Sequence, residues 1–128
     1  MALIAGSIFT FSGCSTPAGQ FSDLQADRTP KDELPVLAEE YAYEGVDPST
    51  SRYVGDHDGT SLWIVEGLAE SPICLVAVAG ESEWFVSCGG ATGVGLKGIA
   101  GDFLALPDGA LPPEKATKVS ENVYATMP

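Results

Sequence analysis

Ile73-Cys74-Leu75-Val76-Ala77-Val78 and Trp84-Phe85-Val86-Ser87-Cys88, on either side of Gly80-Glu81-Ser82-Glu83, decide the fold of this chain. Both runs are rich in β-branched and aromatic residues and bracket a polar turn, which predicts an antiparallel hairpin. Each run is apolar on both faces, so the hairpin is expected to be central and covered on both sides. Centring the turn on Glu81 sets Cys74 opposite Cys88, Val76 opposite Val86 and Val78 opposite Trp84, all on one face. At a non-hydrogen-bonded pair the Cα atoms approach to roughly 4.5 Å or slightly more, close enough for a cross-strand disulfide. Two reduced core thiols are the alternative state of the same pair.

Working outward, Arg52-Tyr53-Val54 and Leu62-Trp63-Ile64-Val65 flank Asp56-His57-Asp58-Gly59-Thr60, whose Asp-Gly step is a hairpin turn signal. Val94 to Ile99, Phe103 to Leu106 and Val119 to Tyr124 supply later strands. Upstream, Leu34, Leu37, Ala38 and Tyr41 recur at helical spacing, with Pro35 in the first turn and Gly45 and Asp47-Pro48 as the stop. This spacing predicts a short helix over residues 35–43. The expected architecture over 34–128 is therefore mainly β: a single antiparallel sheet, small barrel or sandwich, with one short N-terminal helix. There is no internal repeat, and a chain of 128 residues makes one domain at most.

Residues 15–33 contain two prolines, mostly polar side chains and no sustained periodicity. Such a stretch reads as a flexible tether, holding a domain on the order of 25 Å from its point of attachment. Before it, the apolar run Ala2 to Phe11 has the length of a signal-peptide core and is too short to span a bilayer. It leads into Phe11-Ser12-Gly13-Cys14, where two small residues precede a cysteine. Residues 1–13 then form a signal peptide, and Cys14 is lipidated and holds the chain on the extracytoplasmic face of the cell membrane. No Lys or Arg precedes Cys14, and the missing positive segment points to a start upstream of Met1. The alternative makes residues 2–11 a buried strand and Cys14 a buried thiol. With Cys14 assigned to the anchor, Cys74 and Cys88 are left as the even pair expected of an exported protein.

Eighteen Asp and Glu against six Lys and Arg give a net charge of −12, all of it beyond Cys14. That field disfavours nucleic acid and anionic lipid surfaces, which require a basic face. It attracts a cationic protein, a basic peptide or Ca²⁺, and it also keeps an exported protein soluble.

His57, the only histidine, lies between Asp56 and Asp58 and is the one candidate general base. Serines are plentiful, but none sits in a nucleophile-elbow pattern, and a hairpin tip excludes water poorly. Asp56 and Asp58 with Gly59 also begin a calcium-loop spacing, a weak ligand or Ca²⁺-binding turn. Position twelve of that loop is Gly67 where a glutamate is needed. Gly93-Val94-Gly95-Leu96-Lys97-Gly98 matches the Gly-x-Gly-x-x-Gly string, yet no helix follows to hold phosphates. It reads as a mobile or tightly turning strand connection at a binding surface. Glu81 with Glu83, and Glu39 with Glu40, read as solvated carboxylates of a turn and of the helix's wet face. No catalytic residue, metal site or cofactor is assigned.

Taken with Arg52-Tyr53-Val54-Gly55, Asp58-Gly59, Ile73-Cys74-Leu75, Ser87-Cys88-Gly89-Gly90 and Ser120-Glu121-Asn122-Val123-Tyr124, the lipobox-like Phe11 to Cys14 resembles small uncharacterised lipoproteins of Gram-positive actinobacteria. The resemblance covers most of residues 45–125 and implies an anchored domain with no reaction to carry over. The function expected is non-enzymatic binding or association with the cell envelope. An exported inhibitor of a cationic envelope-acting enzyme such as a lysozyme is the alternative, and a hydrolase using His57 the third class.

Overall fold

Asp58 and Gly59 take positive φ angles of 50° and 84°, the two left-handed residues that a tight two-residue hairpin turn requires. In the computed structural model, which describes residues 20–68 and 70–126, they join β1 (Arg52–His57) to β2 (Thr60–Val65). The signal-peptide and Cys14 readings lie outside the described residues. The hairpin that anchored the sequence reading follows as β3 (Ile73–Gly80) and β4 (Glu83–Gly89). Its register is the expected one: Cys74 faces Cys88, Val76 faces Val86 and Val78 faces Trp84, with an irregularity between Val78 and Gly80. Cys74 and Cys88 form a disulfide with their Cα atoms 4.0 Å apart. The four strands make one antiparallel sheet in the order β1-β2-β3-β4.

A glycine corner then turns the chain out of this sheet. Gly90 and Gly93 bridge each other, and Gly93 has a φ of 119°. A Cβ on Gly89 would overlap the Gly93 carbonyl, and one on Gly93 would overlap that of Ala105. The corner leads into β5 (Val94–Gly98), β6 (Gly101–Ala105), β7 (Thr117–Lys118) and β8 (Val123–Ala125), a second antiparallel sheet ordered β5-β6-β8-β7.

The expected fold is corrected in two respects. The strands fall into two separate four-stranded sheets rather than a single one, and neither closes into a barrel. The helix expected over 35–43 is absent: only short 3-10 turns form, here Glu40–Tyr43. Among the described residues no helix is long and apolar enough to cross a membrane.

Strand alternation gives the first sheet two apolar faces. Leu62, Ile64, Ile73, Leu75 and Ala77 meet Val94, Leu96, Phe103, Ala105, Val123 and Ala125 of the second sheet in one core. On the opposite face Trp63, Val65, Cys74 and Val76 form a second cluster with Val46, flanked by Leu34, Tyr43 and Tyr53. β2 and β3 are thus covered on both sides, whereas β4 is a half-buried edge strand whose Cys88 is exposed.

Residues 20–33 also depart from the tether reading, because they pack. Phe21 is buried in the inter-sheet core. The backbone N–H of Asp23 donates to Asn122 Oδ1 (2.8 Å), while Asp23 Oδ2 accepts from Asn122 N–H (2.9 Å) and the Ser120 hydroxyl. Thr29 and Asp32 cap each other around Pro30–Asp32, and buried Asp32 accepts from the Tyr53 N–H at 2.8 Å. Burial raises the Asp32 pKa, but bonds from the Thr29 and Tyr53 backbone and the Thr29 hydroxyl, with the Arg52 charge, outweigh it and hold the carboxyl below its ordinary value.

Candidate functional site

Residues 33–49 cross the outer face of the first sheet as an irregular strip. Leu34, Tyr43 and Val46 pack down onto the sheet, and the Ala38 N–H donates to the Glu81 carbonyl in the β3–β4 turn. That bond explains why the helical spacing fails: the backbone finds its partner on the hairpin instead of four residues back. Between residues 33–43 of the strip and Arg28, Pro48 and Ser49 lies an open groove of about 680 Å³, walled by Leu34, Pro35, Leu37 and Tyr43.

The groove's polar groups are of two kinds. Arg28 is a brace, donating from Nη2 to the Pro48 carbonyl and the Ser51 hydroxyl (both 2.9 Å) and from Nε to the Ser51 carbonyl. Glu33, Glu39 and Glu40 line it as well, so three carboxylates face one guanidinium. The Tyr43 hydroxyl donates to the Pro35 carbonyl at 2.7 Å. Burial pushes its pKa up to about 12, so it remains a neutral donor and pins the wall.

At the hairpin end of the strip, Trp84 Nε1 donates to Glu39 Oε1 at 2.6 Å. Tyr41 stands edge-on to Trp84, with ring centroids 6.0 Å apart and planes at 64°. Tyr41 is 61% exposed and Val36 89%. The strip therefore sends Leu34 and Tyr43 inward and offers apolar and aromatic side chains to solvent beside carboxylates. Such an arrangement suits an amphipathic cationic segment: apolar contact supplies affinity, and the charges supply orientation and selectivity.

The residues singled out from sequence are placed elsewhere. Asp56 accepts from the Tyr53 hydroxyl at 2.7 Å. Bonds from the Ser61 hydroxyl and from Tyr53 hold its pKa below the ordinary value. His57 lies 3.4 Å from the exposed carboxylate of Asp58 and packs edge-on against Phe103 at 6.1 Å. These two and Asp102 border a recess of about 180 Å³. Among the described residues no serine or cysteine hydrogen-bonds to His57, and no group of three or more His, Cys, Asp or Glu is placed to hold a metal ion. Gly93 immediately precedes strand β5, and the Gly-x-Gly-x-x-Gly string ends at the β5–β6 hairpin, with the Phe85 ring packed onto Gly98. Glu81 and Glu83 are exposed, as expected. Glu39 is half-buried and engaged by Trp84, not part of a wet helix face. Sequence reasoning missed this groove because its residues were assigned to a helix; the density of Leu, Pro, Tyr and Glu over 33–44 was the only signal.

No protein-family model, curated protein or solved structure matches this chain. Of the resemblance expected from the sequence, what the structure carries is a small β-rich domain linked by the Cys74–Cys88 disulfide.

Proposed function

We propose that this domain is a non-enzymatic binding module, held on the extracytoplasmic face of a membrane by lipidated Cys14, whose groove takes a basic segment of a cationic protein. The observation that carries the reading is the groove itself, an apolar wall with three carboxylates on a chain of net charge −12. Long-range attraction steers a cationic partner to the molecule, and the wall of Leu34, Pro35 and Leu37 rewards an apolar side chain that arrives with it. If the partner is a cationic enzyme, the same contact makes the domain its inhibitor.

Two measurements test this. Membrane fractionation with intact mass, comparing wild type and Cys14→Ser, is expected to show an acylated N-terminus at Cys14 that the variant lacks; unmodified Met1 in the cytosol overturns the anchor. Calorimetric titration with an amphipathic Lys/Arg-Leu peptide is expected to show binding that weakens with added salt. A Glu33→Gln/Glu39→Gln/Glu40→Gln variant should lose it. Undiminished binding by that variant, or no binding by wild type, refutes the groove as the site.

A further inference from the structure

We infer that Tyr41, Trp84 and Glu39 form an anchor subsite for one arginine side chain of the partner, an inference that rests on the binding reading above. The Glu39 carboxylate is already oriented, because the Trp84 indole N–H holds Oε1. Among the described residues Oε2 has no hydrogen-bond donor, and neither Glu39 nor Glu40 forms an ion pair. Four of the chain's six Lys and Arg are committed elsewhere, Arg28 to Ser51 and Pro48, Arg52 to the Ala26, Thr50 and Ser51 carbonyls, Lys31 to the Tyr53 ring and Lys118 to Glu121, and among the described residues neither Lys97 nor Lys115 forms an ion pair with Glu39. An oriented carboxylate beside an exposed aromatic ring is therefore left for a cation from outside.

The geometry favours arginine over lysine. Tyr41 meets Trp84 in a T-shaped contact and stays 61% exposed, which leaves ring surface for a planar guanidinium to stack on. From there its fork of donors reaches a carboxylate in two parallel bonds. An ammonium is a strongly hydrated point charge that gains the Coulombic attraction but neither the stacking nor the fork. Trp84 contributes twice, by fixing Glu39 and by backing the ring that receives the cation.

The test titrates the full chain with three peptides identical except for arginine, lysine or citrulline at one position within an apolar sequence. The arginine peptide is expected to bind about tenfold more tightly than the lysine peptide, the scale of one well-placed cation–π contact with a bidentate pair. The citrulline peptide should bind weakest. Tyr41→Ala changes an exposed residue and should narrow the gap between arginine and lysine, by removing the stacking and leaving only the fork to Glu39, while the unfolding midpoint stays put. Glu39→Gln should weaken both. Equal arginine and lysine affinities in wild type, or a preference undiminished by Tyr41→Ala, overturn the subsite while leaving the cationic groove standing. No binding of any peptide overturns the groove together with the subsite.

Discussion

Asn122→Ala tests the packing of residues 20–33 most directly, because one buried amide joins three segments of chain. Asn122 is fully buried. Its Oδ1 accepts from the Asp23 N–H at 2.8 Å, and its Nδ2 donates to the Leu106 carbonyl at 2.8 Å and to Asp108 Oδ1 at 2.9 Å. Alanine strands the Asp23 N–H and removes a donor from the Leu106 carbonyl, whereas Asp108 keeps both bonds from Ser22. A stranded buried group costs about 1–3 kcal/mol, so the variant should lose about 3 kcal/mol in all. In a domain of this size that lowers the melting temperature by roughly 15 °C. Urea unfolding should show a lower midpoint with an unchanged slope. A loss below about 1 kcal/mol would refute the network as a structural tie. Asn122→Asp adds a control of sign. It sets a carboxylate against Asp108 in place of a donor, which raises the pKa of the pair in the folded state. The deficit should grow as pH rises above the ordinary Asp value of about 3.9 and shrink on acidification. A deficit independent of pH would mean that the two side chains do not meet.

The remaining expectations follow from the same contacts. Phe21→Ala empties a site in the inter-sheet core and should cost about 3–5 kcal/mol in chemical denaturation, whereas a neutral result would return residues 20–33 to tether status. Reducing Cys74–Cys88, or replacing both by Ser, should cost about 3 kcal/mol in the chain-entropy account, measured as the shift of the guanidinium midpoint with and without a dithiol; an unchanged midpoint would deny the staple its role. Burial raises the Asp108 pKa, but bonds from the Asn122 amide and from the backbone and hydroxyl of Ser22 more than offset it and leave the value depressed, as at Asp32. The stability these carboxylates add is therefore fully present above the unfolded value of about 3.9 and lost as pH falls through their lower folded values. Asp108→Asn should flatten the fall in stability below about pH 4, and an unaltered slope would show that Asp108 does not titrate with unfolding.

What was legible in the sequence was what local pairing controls. Counting about Glu81 places Cys74 opposite Cys88, although the turn itself is Glu81-Ser82 and an irregularity between Val78 and Gly80 restores that register. Asp58-Gly59 sets the β1–β2 pairing as far as Gly55, where it shifts by one residue. What was not legible depends on distant partners. Phe21 and Leu24 are two apolar residues in a polar stretch, and nothing local says that they reach the inter-sheet core. Asp23 and Asp32 read as solubilising charges until the N–H groups of Asn122 and Tyr53 are placed beside them. One local signal was available: Thr29-Pro30-Lys31-Asp32 has capping-box spacing with proline in the first turn. The division into two sheets lay in Gly89 and Gly93, where an added side chain would collide with neighbouring backbone. Composition showed their number, but only the contacts show that they form a corner.

The groove follows from the same two-faced sheet. The inner face of β2–β3 is buried against the second sheet, and the outer face is just as apolar, so folding requires a cover. Leu34, Tyr43 and Val46 meet that requirement, with the Ala38 bond to Glu81 fixing the strip at the hairpin turn. Val36 and Tyr41 contribute little to it, since most of their surface remains in water. Substitutions at these two positions should therefore leave stability within about 0.5 kcal/mol of wild type, while Leu34→Ala should destabilise the domain. If Tyr41→Ala alters peptide binding with the unfolding midpoint unchanged, folding and recognition are carried by different side chains of one strip. If it instead lowers the midpoint by as much as Leu34→Ala does, Tyr41 belongs to the cover, and its exposed ring is no evidence for a binding role.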